Sequence, residues 1–198
     1  MNILIDLLPS SVEVECVKYE INSDFRTSIL FEMLMQDDEV SDEDKIVASL
    51  ELYYAVLPPN LEMALEKILG FYRCSKDIVK SKGNDKCKSV TQIYSFDYDD
   101  DYIYAAFLDQ YGVDLQDIEY LHWWKFKAMF KSLKEDAEIV KIMGYRAMDV
   151  SKIKDKEEKE FYNRMKKMYE IPRGKNELEK INAIEDALIN GRDINNIL

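Results

Sequence analysis

Three aspartates at alternate positions, Asp97, Asp99 and Asp101 in the run DYDDD, have the spacing with which a calcium loop begins. Such a loop also needs glycine at its sixth position, for a sharp turn, and a bidentate glutamate at its twelfth. Counted from Asp97, those places hold Tyr102 and Leu108, which do neither job. A simpler use is helix capping by Asp97, with the following carboxylates favoured by the positive end of the helix. His122 is the only histidine. A lone imidazole supplies neither a zinc box nor a Ser-His-Asp triad. At ~100° per helical residue, Ile118, His122, Phe126, Met129, Phe130 and Leu133 share one arc, so the ring falls on an apolar face. There it needs a hydrogen-bond partner more than a substrate, and Asp114 or another carboxylate of the acidic helix is a candidate. The six glycines form no GxGxxG or GKS/GKT phosphate cradle. Nothing selects a carboxylate pair for acid–base work. The expectation is a non-enzyme with no catalytic residue, no metal and no cofactor.

The run Leu121-His122-Trp123-Trp124-Lys125-Phe126 carries both tryptophans of the chain. On a helix, Trp124 projects ~100° away from Trp123, onto a small strip with Leu121 and Ala128. Such a helix must be covered on two sides. The C-terminal helices of the chain can do this, or a partner's helix or second copy can, since tryptophan is favoured at interface hot spots. Leu121, Trp124 and Ala128 are therefore the partner-binding candidates. His122, Trp123, Phe126 and Phe130 are the expected core signature. The nine methionines read as core filler, with an adaptable apolar groove as a second use.

The elements that position these residues are mostly helical. VEVECVKYEI, residues 12–21, alternates apolar and charged side chains, which predicts a short strand or hairpin with Val12, Val14 and Cys16 inward. Asn22-Ser23-Asp24 can cap a helix through Phe25, Ile29, Leu30, Met33 and Leu34. Ser41-Asp42-Glu43-Asp44 resembles a capping box, and the helix after it places Ile46, Val47, Leu50, Tyr53, Tyr54 and Leu57 on one stripe. Pro58-Pro59 stops that helix. Asn60 caps the next, with Leu61, Leu65, Ile68, Leu69 and Tyr72 inward. Residues 75–92 read as a polar loop. An acidic helix then ends at Gly112, and the tryptophan helix should run antiparallel beside it. Ser151 to Tyr169 reads as a long, partly exposed helix, and Asn176 to Asn190 as a last amphipathic one. The fold class is mainly α: a compact helical domain, residues 1–150, with a short N-terminal β element, and a C-terminal helical extension, residues 151–198.

The chain has 198 residues, enough for a core without staples, and a formal net charge of −12. Residues 91–120 hold eight acidic and no basic side chains, whereas residues 121–175 hold fifteen basic and nine acidic. A field of that overall sign repels phosphate backbones, which argues against nucleic acid and anionic membranes as partners. Three widely spaced cysteines without a CxxC pair fit free thiols in a reducing cytosol. The N-terminal MNILIDLLPSS lacks the features of a secretory signal, and no apolar run approaches the ~20 residues that span a bilayer.

SFD at residues 95–97, IYAAF at 103–107, YGVDL at 111–115, LHWWKF at 121–126 and a downstream Arg146 together resemble the bacteriophage gene-product-fifteen family. DFR at 24–26, Pro58-Pro59 and Phe71-Tyr72 fit the same pattern, so the likeness spans roughly residues 20–170. It implies a product of the tail-morphogenesis cluster of tailed phages and prophages of Gram-positive bacteria, from between the major tail protein and the tape measure protein. Proteins from that position generally serve as tail assembly chaperones. The implied partner is the tape measure protein, with the major tail protein and a second copy of the chain as the next candidates. The implied place is the host cytoplasm, not the mature virion. The alternative is a structural tail or connector protein retained in the particle. No catalytic residues come with the resemblance.

Overall fold

A computed structural model describes residues 2–75 and 92–172. Most of the polar loop expected over residues 75–92, and the amphipathic helix expected over residues 176–190, lie outside the described residues. Strands β1 (Ser11–Val14) and β2 (Val17–Glu20) pair antiparallel, with Val12 opposite Tyr19 and Val14 opposite Val17. The turn between them is Glu15-Cys16, with φ of 50° and 62°. Two left-handed residues give the mirror-image turn that matches strand twist. Cys16 is therefore exposed at the hairpin tip, not inward as the alternation predicted, because the turn interrupts the period.

Three helices follow: α1 (Phe25–Gln36), α2 (Asp42–Tyr53) and α3 (Leu61–Tyr72). Each begins at a side-chain cap read correctly from sequence: Asp24 accepts from the Arg26 N–H, Ser41 from Asp44 and Asn60 from Met63. The stripes are narrower than expected. In α2, Leu50 and Tyr53 are buried but Ile46 and Val47 are exposed, as is Leu57 beyond its end. Leu30 of α1 and Leu61 of α3 also face solvent, while Ser28, Phe31 and Glu32 occupy the inner face of α1. Tyr54 ties these elements together. It bridges to Ile21 beyond the hairpin, and its hydroxyl donates to the Ala64 carbonyl of α3 at 3.0 Å.

Helix α4 (Asp100–Tyr111) ends at Gly112, whose φ of 62° lets the Gly112 N–H reach the Leu108 carbonyl at 3.0 Å. Then come α5 (Trp123–Lys131), α6 (Glu138–Ala147), a single 3-10 turn at Val150–Lys152 and α7 (Lys156–Met168). The expected helix over residues 151–169 is thus the turn plus α7, which Asp155 caps by accepting from the Glu158 N–H. Helix α4 is not antiparallel to α5. Phe107 stacks on Phe126, Tyr111 donates to the Met129 carbonyl and Gln110 to that of Ser132, so both helices advance in the same sense along their contact. Residues 113–122 carry the chain back. Among the described residues no helix is long and apolar enough to cross a membrane. The architecture is mainly helical with one two-stranded N-terminal sheet.

Candidate functional site

The centre of the molecule is Phe126. Its ring stacks on Phe107 at 4.8 Å, Phe25 at 4.9 Å, Trp123 at 5.7 Å and Phe130 at 6.3 Å, with Phe96 tilted against it. Trp123, Phe126 and Phe130 are buried, as is His122.

The paired tryptophans serve the end of α3. A helix that stops leaves its last carbonyls without helical donors. The Trp123 indole N–H donates to the Tyr72 carbonyl at 2.9 Å, and that of Trp124 donates to Phe71 at 2.8 Å. Tyr72 stacks on Trp123 at 5.4 Å, and Phe71 lies 5.9 Å from Trp124. Successive residues of α3 diverge as successive residues of α5 do, so one aromatic pair meets the other. Lys127 adds its ammonium over the Tyr72 and Trp123 rings, at 4.6 and 5.1 Å.

This geometry overturns the expected exposure of the partner-binding strip. Trp124 and Leu121 are 5% and 8% exposed. Only Ala128 of the three faces solvent. The two divergent faces of the helix start are both covered from within the chain, by the end of α3 and the segment before α1.

His122 is the N-cap of α5 rather than a residue of its interior. Its Nδ1 accepts from the Trp124 N–H at 3.0 Å, so the proton sits on Nε2, which donates to the Pro9 carbonyl at 3.1 Å. Its partners are thus backbone groups, not Asp114, which instead accepts from the Tyr104 hydroxyl at 3.0 Å. Burial holds the imidazole below its ordinary pKa, the Pro9 carbonyl opposes this and Lys125 reinforces it. With both ring nitrogens engaged, no lone pair faces a substrate. Alongside, Asp24 caps α1 with one oxygen and accepts from the Leu121 N–H with the other, at 3.1 Å. The Phe25 and Trp123 N–H groups cross to the Leu121 and Ser23 carbonyls, each at 2.9 Å. Arg26 donates to the Leu115 and Ile118 carbonyls, fixing the return loop.

The acidic cluster divides. Asp97 and Asp101 are exposed, and Asp97 does not cap α4. Asp99 takes the cap position but its side chain makes no cap bond. It turns inward, accepting from the Ser95 N–H at 2.8 Å and from both terminal nitrogens of Arg146 at 2.5 and 2.9 Å. Arg146 also donates to the carbonyls of Ile93 and Tyr169. This buried fork joins α4, α6, the segment before α4 and the end of α7. Among the described residues no group of three or more His, Cys, Asp or Glu could hold a metal ion.

A second buried polar cluster had no sequence signal. Glu32 on α1 accepts from the Tyr72 hydroxyl and is hydrogen-bonded to Tyr94. Burial, then the adjacent carboxylate, pushes both phenols far above their ordinary range, so they stay protonated donors.

Large apolar side chains stand in solvent elsewhere. Leu4, Ile5 and Leu7 are 87%, 80% and 94% exposed, on a local turn closed by the Asp6 N–H to the Asn2 carbonyl. Val47, Val56, Leu57 and Leu61 are exposed around α2 and the start of α3.

Fold and site therefore define a mainly helical protein in which the signature aromatic residues meet in the interior. The family model described as bacteriophage Gp15 protein matches residues 4–171, and the chain belongs to that family. The family is one of phage structure or morphogenesis and is not known as enzymatic. No curated protein and no solved structure matches the chain.

Proposed function

We propose that this protein is a tail assembly chaperone: it binds the tape measure protein in the host cytoplasm, helps recruit tail tube subunits and leaves before the particle matures. The observation that carries the reading is the set of large aliphatic side chains left in water, Leu4, Ile5 and Leu7 foremost, on a chain of a phage morphogenesis family. A monomer tolerates scattered apolar residues, but a cluster of almost fully exposed ones marks a contact surface. A tape measure is a long helical polypeptide with an apolar stripe that aggregates when bare. An apolar arm can shield that stripe, while a net charge of −12 keeps the complex dispersed.

Co-expression tests it. The tape measure protein should move from the pellet to the soluble fraction when this chain is present, and should co-purify with it. Equal precipitation with and without the chain would defeat the proposal.

A further inference from the structure

Residues 2–9 form an arm that is closed mostly on itself. The Ile5 and Asp6 N–H groups reach the Asn2 carbonyl at 3.2 and 2.9 Å, and the Asn2 N–H reaches the Asp6 carboxylate at 2.6 Å. Leu4, Ile5 and Leu7 project from this turn into solvent. Among the described residues, one hydrogen bond joins the arm to the rest of the protein: His122 Nε2 donates to the Pro9 carbonyl at 3.1 Å. Leu8 adds apolar packing against the core.

The ring that makes this bond is locked in place. It is 4% exposed, lies edge-on to Phe71 and Trp124 at 5.6 and 5.9 Å, and its Nδ1 is engaged by the Trp124 N–H. That engagement leaves the proton on Nε2, so the α5 cap itself selects the tautomer that can hold Pro9. At the arm's root, the Pro9 ring fixes its own φ and holds Leu8 extended. The bond to His122 fixes the peptide plane from Pro9 to Ser10, and the Ser10 carbonyl is already taken by the Ile21 N–H at 2.8 Å.

We infer that His122 is a positioning residue for the arm: a latch that aims Leu4, Ile5 and Leu7 in one direction before a partner arrives. An arm already held loses less freedom on binding, which raises affinity without adding a contact. That consequence rests on the chaperone reading; the latch itself does not, and it is read on the free protein.

Two substitutions separate the roles of the two ring nitrogens. His122→Asn keeps an acceptor near the Nδ1 position and is too short to reach Pro9. His122→Gln carries an amide N–H out to the Nε2 position and leaves no acceptor at Nδ1. In the parent, NMR should find the imidazole proton on Nε2, and order parameters over residues 3–8 near the ~0.85 of rigid backbone. His122→Asn should lower them below ~0.6 and leave exchange of the Trp124 amide unchanged. His122→Gln should keep the arm ordered and speed Trp124 exchange about tenfold, as a lost cap does. Binding of the tape measure protein should weaken about tenfold in His122→Asn and hold in His122→Gln.

The parent readings alone can overturn the inference: a proton on Nδ1, or an arm below ~0.6, would do so whether or not either variant folds. Equal arm order in all three proteins would overturn it too. So would loss of order in both variants, which would make the arm follow the cap and not the latch. Equal binding by the parent and His122→Asn, despite a loosened arm, would refute the positioning role. A loosened arm with no binding even in the parent would support the latch and defeat the chaperone reading instead.

Discussion

Phe71 and Tyr72 end α3, and the two indoles of α5 donate to their carbonyls at 2.8 and 2.9 Å. Trp124 is therefore a structural residue. Trp124→Ala should destabilise the protein by ~3–5 kcal/mol in urea titration, as truncation of a buried aromatic does. Trp124→Phe should cost less, ~1–2 kcal/mol, since the Phe71 carbonyl still accepts from the Cys74 N–H. A variant as stable as the parent would return the ring to the surface. His122 offers a pH test. Its folded pKa lies below the ordinary value near 6.5, so the unfolded chain binds the extra proton first. Stability from this group is complete above pH ~6.5 and is lost as pH falls through that value toward the depressed one. His122→Asn keeps a capping oxygen but no titration. Its urea midpoint should fall less between pH 7 and 5.5 than that of the parent, and parallel profiles would refute the assignment. The wheel separated Trp123 from Trp124 correctly. It could not reveal that Phe71-Tyr72, some fifty residues away, offers matching faces, because that contact is wholly tertiary.

At the scale of elements, the caps were legible and the breaks between later helices were not. Asp24, Ser41 and Asn60 announce their helices because capping is local. The end of α5 and the start of α6 carry no such mark: Ala137 takes the N-cap of α6 without a side-chain bond. The join is held from a distance by Gln110, which donates to the Ser132 carbonyl and accepts from the Lys134 N–H. Asp99 likewise sits at a cap position, yet its carboxylate is taken by Arg146 from across the fold. Removing one partner of a buried fork strands the other, which costs ~3–5 kcal/mol. Arg146→Met should incur that loss in denaturation. It should also speed amide exchange in α7, since the Arg146 Nε–H to Tyr169 carbonyl bond is lost with it. Unchanged α7 exchange would mean that Tyr145, against Phe161, Tyr162 and Tyr169, holds that helix alone.

For the whole molecule, the family motifs and the proposed contact surface are different parts. DFR, Phe71-Tyr72, SFD, LHWWKF and Arg146 were legible in the sequence, and the structure buries Phe25, Phe71, Phe96, Trp123, Trp124, Phe126 and Arg146 from among them. That is why they identify the fold so well and the contact surface so poorly. Exposed Leu4, Ile5 and Leu7 gave little signal, because a short apolar run at a chain end reads equally well as a buried strand. Leu4→Asp with Leu7→Asp should leave the urea midpoint unchanged while weakening tape measure binding at least tenfold in a titration. Equal binding would place the contact elsewhere. Whether the protein is a helper that departs is decided by quantitative mass spectrometry of purified particles against lysate from the same culture. The chain should be abundant in the lysate, in complex with the tape measure protein, and absent from mature particles. Stoichiometric copies in the particles would contradict it and make the protein a structural component of the tail.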